Sequence, residues 1–393
     1  MNIYNCVHES LEHQEFPPNG TIKLNEDKDI RIDINTPHIK TLPWRSEIVH
    51  TGQLKLLDKD GKAVKIDFTK FKLTNLFIAH LYKRVIFYIS DTEVDKVDHV
   101  GVTAVIHALA SIVSPTKYSN AGWNLNNEKH LMINDKGQFK VAIPLELLLG
   151  FFNSFRNVLF NVSQSLEIQI DQHGVTNMVV LDPSLNGYTV QLDTKSITWR
   201  MPVVKFADKY DNVITDAIST DRPLSICFDH WKTVKINNVS GKEDKKTIAT
   251  DNIPFYAFVV FQVKRDNNLF ADKSKFDHCN AYDVRIVING DEYPRQQMRL
   301  NLNDKDYGML YTSFKNYAGK DHVIIDNNQF ETDYTIFTYD LTGIPSITTE
   351  LADVQMHFTW RDDFPAAGDI YVFLKQNANF EYKPITRNVR RAI

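Results

Sequence analysis

The residues best suited to chemistry are histidine, cysteine and paired carboxylates, so their spacing is read first. Thirteen histidines and three cysteines, Cys6, Cys227 and Cys279, give no CxxC, no HExxH and no HxH. His278 and Cys279 are neighbours, and on a strand neighbours point to opposite faces, so they would not share a metal. A Cys/His nucleophilic pair made of distant residues would have Cys279 as its nucleophile, but no glycine-framed nucleophile turn is present. Ser90-Asp91 and Ser240-Gly241 read as ordinary turns. There is no GxGxxG and no GxxxxGK[ST] to cradle a phosphate. Asp58-Lys59-Asp60-Gly61 lacks the later ligands of a calcium loop and reads as a hairpin. Asp362-Asp363 and Asp304 with Asp306 could move protons in principle, yet they sit in polar, loop-like stretches and read as solvated turns. Aromatics interleave with lysines at Phe68-Thr69-Lys70-Phe71-Lys72 and from Tyr311 to Lys320, a pattern able to stack bases. The expectation is therefore no catalytic residue, no cofactor-binding residue and no metal ligand.

The elements that would carry these residues are mostly strands. Alternation with period two recurs in Ile30 to Ile34, Leu166 to Asp171, Tyr188 to Leu192, Val284 to Ile288, Tyr334 to Tyr339, Val354 to Trp360 and Ile370 to Leu374. Val85 to Ile89 and Phe255 to Val263 are continuous apolar runs, as in strands covered on both faces. Asp60-Gly61, Asn186-Gly187 and Asn289-Gly290 are hairpin dipeptides, because those residues accept positive φ. Asp135-Lys136-Gly137 reads as a short hairpin loop between Leu131-Met132-Ile133 and Phe139-Lys140-Val141. One helix is expected from Pro144 to about Phe160, with Gly150 able to split it. A second is expected over Tyr307 to Tyr317, stopped by Gly319. Val102 to Ile112 fits either a buried strand or a short helix.

Composition narrows the class. A chain of 393 residues suits two domains or at most three, and 24 Phe and 16 Tyr against 5 Trp favour pleated surfaces. The net charge of −4 argues against coating nucleic acid, so direct nucleic-acid binding is not expected. Arg387, Arg390 and Arg391 read as a solvated tail. Three cysteines suit a reducing compartment. The first residues form no apolar signal region, and Val100 to Val113 is too short to span a bilayer, so no membrane-spanning segment and no secretion are expected. The sequons at Asn19, Asn161 and Asn238 are then chance. No repeat of 20 to 50 residues is visible, but stretches of similar length before and after about Leu192 each hold strands around one helical segment.

Several segments carry a resemblance. They are Leu42-Pro43-Trp44, Pro144 to Phe152, Ile197 to Val204, Arg222-Pro223-Leu224 with Trp231, Phe258 to Gln262, Phe276 to Asn280 and Ile288 to Pro294. In this order the chain resembles the double jelly-roll major capsid proteins of DNA viruses, with the short forms of polinton-like and adintovirus-like elements and their virus-derived homologues nearest. The resemblance implies a mainly β fold of two consecutive jelly-roll sandwiches with short helical insertions, divided as 1–193 and 194–393. Trp199-Arg200-Met201-Pro202 would open the second sandwich. It implies a structural protein of the virion capsid, made in the host cytoplasm or nucleus. That protein would form a homotrimer, tile an icosahedral shell and meet other capsid proteins such as a penton protein. Phe151-Phe152 and Tyr307 to Tyr317 are the first candidates for contacts between copies, against core packing as the plainer reading. The alternative is a β-sandwich that binds carbohydrate or protein through Trp44, Trp123 and Tyr118 in loops.

Overall fold

The computed structural model describes residues 8–20, 26, 28–36, 38–111, 116–125, 132–221, 223–237, 239–249, 252–319, 324–344 and 352–392. Of the residues singled out in the sequence, Cys6, Ile112, Val113, Leu131, Arg222, Asn238 and Lys320 lie outside these.

Strands dominate because inward apolar and outward polar residues alternate and their rows match across partners. In chain order they are β1 (His8–Phe16), β2 (Asp29–Ile34), β3 (Lys40–Thr41), β4 (Glu47–Leu57), β5 (Ala63–Val64), β6 (Phe71–Leu73), β7 (Tyr82–Ile89) and β8 (Thr92–Asp98). After helix α1 (Val100–Ser111) come β9 (Gln138–Pro144), helix α2 (Gly150–Ser154), β10 (Gln164–Ile170), β11 (Val179–Leu181) and β12 (Thr189–Phe206). Helix α3 (Asp208–Ser219) leads into β13 (Leu224–Ile236), β14 (Glu243–Ala249), β15 (Tyr256–Val263), β16 (Ala281–Ile288) and β17 (Asp291–Tyr293). Helices α4 (Gly308–Ala318) and α5 (Asn327–Thr332) precede β18 (Phe337–Asp340), β19 (Asp353–Trp360), β20 (Gly368–Lys383) and β21 (Asn388–Arg391).

The pairing repeats. In the first half one sheet has the order β1-β12-β4, with β9 on the far side of β4, and the other has the order β2-β10-β7-β8. In the second half the orders are β13-β20-β15-β18 and β14-β19-β16-β17. Counted along the chain, each half therefore places its first, eighth, third and sixth principal strands in one sheet. Its second, seventh, fourth and fifth form the other. Two facing four-stranded sheets so connected make a jelly roll, and the chain holds two. Apolar rows run across each inner face. Leu166 of β10 lies between Ile32 and Phe87, and Ile168 between Ile30 and Val85. In the second half Met356 of β19 faces Ile286, and Phe358 faces Val284. All ten of these side chains are buried, each worth about 1.5–3 kcal/mol relative to exposure.

The structure corrects several expectations. Pro144 ends β9, and the helix expected to run to Phe160 is a 3-10 turn at Leu145–Leu147 followed by the five residues of α2. Phe155 is already extended, and Leu159 returns to bridge Thr41, so backbone pairing ends that helix. Trp199 to Pro202 do not open the second sandwich. They lie in β12, all four opposite β1 and Trp199 and Arg200 also opposite β4, and the division expected between 193 and 194 falls inside that strand. Asn186-Gly187 is a turn between β11 and β12, which do not pair with each other. Asn289-Gly290 is a true two-residue hairpin, with φ of 52° and 91° and Ile288 opposite Asp291. Val100–Ser111 is helical, and α4 follows the expected course to Gly319. The helices α3 and α5 were not expected.

One apolar cluster joins the halves, running from Ile30 to Val389. The two sandwiches therefore share a core across their seam instead of meeting through a hydrated linker.

Candidate functional site at the seam between the halves

The seam is built on β13. One edge of this strand pairs with β20, and along its other edge lie α2 and β8 of the first half. An open strand edge is a liability, and here the first sandwich covers it. The approach is close at Gly150, where a β-carbon would stand 1.7 Å from the Asp229 carbonyl oxygen. The Ser154 hydroxyl ties the two backbones, accepting from the Asp229 N–H at 2.8 Å and donating to the Gly150 carbonyl at 3.0 Å. Phe151 of α2 packs edge-on against Phe228 of β13, with ring centroids 5.3 Å apart.

Asp95 is the polar centre of the seam. Its carboxylate is buried, accepts from the Phe151 N–H at 2.8 Å and the Lys96 N–H at 2.9 Å, and meets His230 Nδ1 at 2.7 Å. A buried carboxylate is tolerable only with such partners. Nearby, Thr103 and Thr233 share a hydrogen bond of 2.9 Å, and His107 of α1 packs on the Trp231 ring at 5.3 Å. Burial pushes the His107 pKa down to about 4, so it stays neutral, with Nδ1 donating to the Leu147 carbonyl at 3.3 Å.

Toward the end of β13 the seam turns ionic. Asp266 lies 3.0 Å from Lys235 and 3.3 Å from Lys273, and Lys235 also reaches Asp369 at 3.1 Å. Burial opposes ionisation of Asp266, but the two ammonium groups prevail and hold its pKa at about 2. Desolvation lowers the pKa of Lys273, whose ammonium also meets the Tyr371 hydroxyl at 3.1 Å. Asn177 of the first half joins this end by accepting from the Asn267 N–H at 2.8 Å. At the opposite end β21 acts as a clasp. The carbonyls of Arg387 and Val389 accept from Ser90 and Thr92 of the first half at 2.9 and 2.8 Å.

The residues singled out for chemistry are scattered. Cys279 sits in a loop with φ of 46°, and burial pushes its thiol pKa up, which removes the thiolate a nucleophile needs. His278 Nδ1 accepts from the Asn280 N–H at 3.0 Å and does not face the thiol as a base. Asp304, Asp306, Asp362 and Asp363 are exposed, and Asp58 caps the β4–β5 turn by accepting from the Asp60 and Lys62 amides. Among the described residues no group of three or more His, Cys, Asp or Glu is placed to hold a metal. The loop aromatics of the ligand-binding alternative are not free. Trp123 and Tyr118 are buried, with the Tyr118 hydroxyl donating to Glu146 at 2.8 Å, and the Trp44 ring is covered by the guanidinium groups of Arg45 and Arg156 at 4.5 and 5.0 Å. The base-stacking pattern is likewise absorbed: Phe71 and Phe314 are core residues, and Tyr317 packs on Tyr256 and Phe258. Phe151 and Phe152 are fully buried, so they are core and not an outer contact. Arg390 and Arg391 belong to β21, and Arg390 pairs with Glu381, so this segment is a folded strand and not a solvated tail. The Asn161 amide donates to the Pro384 carbonyl at 2.6 Å.

Sequence reasoning missed the seam itself, because Asp95 and His230 are 135 residues apart. It also missed α5, whose Asp326-x-x-Gln329 capping box was readable in the chain.

Residues 71–378 match the family model of the double jelly roll-like domain. The chain belongs to that family. Solved structures similar to this double jelly roll include the PBCV-1 virus capsid, at a TM-score of 0.64 and 9% identity, covering 100% of this chain and 99% of that one. The mavirus major capsid protein follows at 0.61 and 9%, covering 97% and 90%. The Sputnik virophage structure stands at 0.60 and 8%, covering 98% and 89%. At such identities the likeness is one of fold, and the double jelly roll read from the sequence holds at that level. No curated protein matches this double jelly roll in sequence. Among its described residues no helix is long and apolar enough to cross a membrane.

Proposed function

We propose that the chain is a structural major capsid protein that trimerises and tiles an icosahedral shell. The observation that carries this reading is the seam. A single apolar core makes two jelly rolls into one block, and that block matches viral capsid proteins over nearly its whole length and nearly all of theirs. A shell tile has to keep its two halves at a fixed angle while weak contacts repeat around it, and a shared core does that.

The rest of the reading follows. The protein acts in the virion capsid, without catalysis, since its candidate nucleophile and carboxylates lie apart or in solvent. Its partners are copies of itself and other capsid proteins such as those at vertices. It does not coat the genome directly, since the net charge is −4 and the terminal arginines Arg390 and Arg391 sit in β21. The units divide at the connector α3, supported by the pairing of β12 with β1 and β4 along its length.

Mass photometry of the purified chain tests the proposal. The expected species is a trimer of about 136 kDa, three times the 45.4 kDa chain, with six-lobed outlines in negative stain. A monomer at every concentration, with no ordered particles in the microscope, would refute it.

A further inference from the structure

We infer that β1 of one copy seats against the β17 side of the next, repeating between copies the contact that the seam makes within one. This rests on the trimer proposed above and names its surfaces. The argument is the internal repetition. Within one chain the first strand of the second jelly roll, β13, is covered by the fifth strand of the first, β8, and by the helices that follow. The same contact repeated between copies needs the first strand of the first jelly roll, β1, and the fifth strand of the second, β17. Both are at the ends of their sheets. Six sandwiches joined head to tail in this way, three seams alternating with three interfaces, close into a ring of three chains.

The free state of β1 fits. It is nine residues long and pairs with β12 along its length, and among the described residues nothing pairs with its outer edge. Glu12, His13, Gln14 and Glu15 are all exposed, so neither face is covered there, unlike an ordinary sandwich strand. Charge selects the partner. Glu12 and Glu15 put two carboxylates on this edge. The segment after β17 carries Arg295 and Arg299, both exposed. Among the described residues none of these four has an ion-pair partner. The carboxylates of one copy and the guanidinium groups of the next are complementary, whereas β1 against β1 would set acid on acid.

Charge reversal tests it by mass photometry. Glu12→Lys with Glu15→Lys, and separately Arg295→Glu with Arg299→Glu, should each lose the trimer at concentrations where the parent chain holds it. All four changes in one chain should restore it. All eight side chains, native and substituted, face solvent in the single chain, and an unchanged circular dichroism spectrum and melting point confirm the fold. Should a variant fail to fold, hydrogen exchange on the parent decides instead: because β1 already pairs with β12 in one chain, exchange across Glu12 to Glu15 that slows further from diluted monomer to trimer supports the contact, and equal exchange in the two overturns it. If the parent is trimeric and both reversed pairs remain so, the contact is wrong and the capsid reading stands. If the parent is only monomeric, both fall together.

Discussion

Replacing Gly150 with alanine presses on the seam at its tightest point. The new methyl carbon would lie 1.7 Å from the Asp229 carbonyl oxygen, 2.9 Å from its carbon and 3.3 Å from the His230 α-carbon. All three are backbone atoms, so no side chain can swing aside, and α2 and β13 must part by well over an ångström. β13 is held by its thirteen-residue ladder to β20, so the strain falls on α2. The 2.8 Å bonds from the Asp229 amide to Ser154 and from the Phe151 amide to Asp95 would stretch out of range, at about 1 kcal/mol each. Overpacking adds about 1–3 kcal/mol. The expected loss is therefore about 3–5 kcal/mol, a large share of the stability of a typical domain. Urea unfolding followed by circular dichroism measures it. Gly308→Ala is the control: it opens α4, nothing lies within 4 Å of the added methyl, and the helix should gain about 0.5 kcal/mol. A Gly150→Ala chain within about 1 kcal/mol of the parent would show that the halves do not depend on this approach.

Asp266→Asn leaves Lys273 buried without its carboxylate and should cost about 1–3 kcal/mol in urea unfolding, the range allowing for the partial exposure of Asp266. The Asp266 pKa is depressed from 3.8 to about 2, so its contribution is present above pH 3.8 and lost as the pH falls through 2; the asparagine chain should show a flatter acid limb there. Burial holds His50 and His80 at about 3 and His107 at about 4, below the ordinary 6.5. The unfolded chain takes up those protons first, so stability is full above pH 6.5 and falls toward pH 4 by about 1.4 kcal/mol per pH unit for each histidine; urea titrations at pH 7 and pH 5 read this, and His107→Phe should lessen the slope. Thiol labelling with peptide mapping should modify exposed Cys227 in the native protein faster than half-buried Cys279, whose thiol desolvation keeps protonated; equal rates would contradict that difference.

What was legible in the sequence was local. Period-two rows such as Ile30 to Ile34 became strands because a sandwich buries one face of each, and Asn289-Gly290 became a hairpin because both residues tolerate positive φ. The helix at Gly308–Ala318 was readable for the same reason, since its apolar spacing and its stop at Gly319 are both short-range. The stretch from Pro144 to Phe160 misled because an unbroken apolar run looks alike whether it is one helix or a bent path buried on all sides. Trp199 misled differently. Its ring is buried edge-on against the touching pair Phe87 and Phe152 of the first half, a choice made by packing and invisible in its neighbours along the chain. Exposure of Trp123 and Tyr118 could not be read either, because a loop aromatic looks the same in sequence whether it faces solvent or folds back over a core.

The uninterrupted interior bears on how such a protein can be altered. A break of the main chain within α3 would sever the connection without parting the pieces, since Phe228, Trp231 and the Asp95–His230 pair would still hold one half in the other. For the same reason neither half can be exchanged for a relative's without carrying its matching wall along. Along the seam, α1, α2 and β8 must change in step with the strand they shelter.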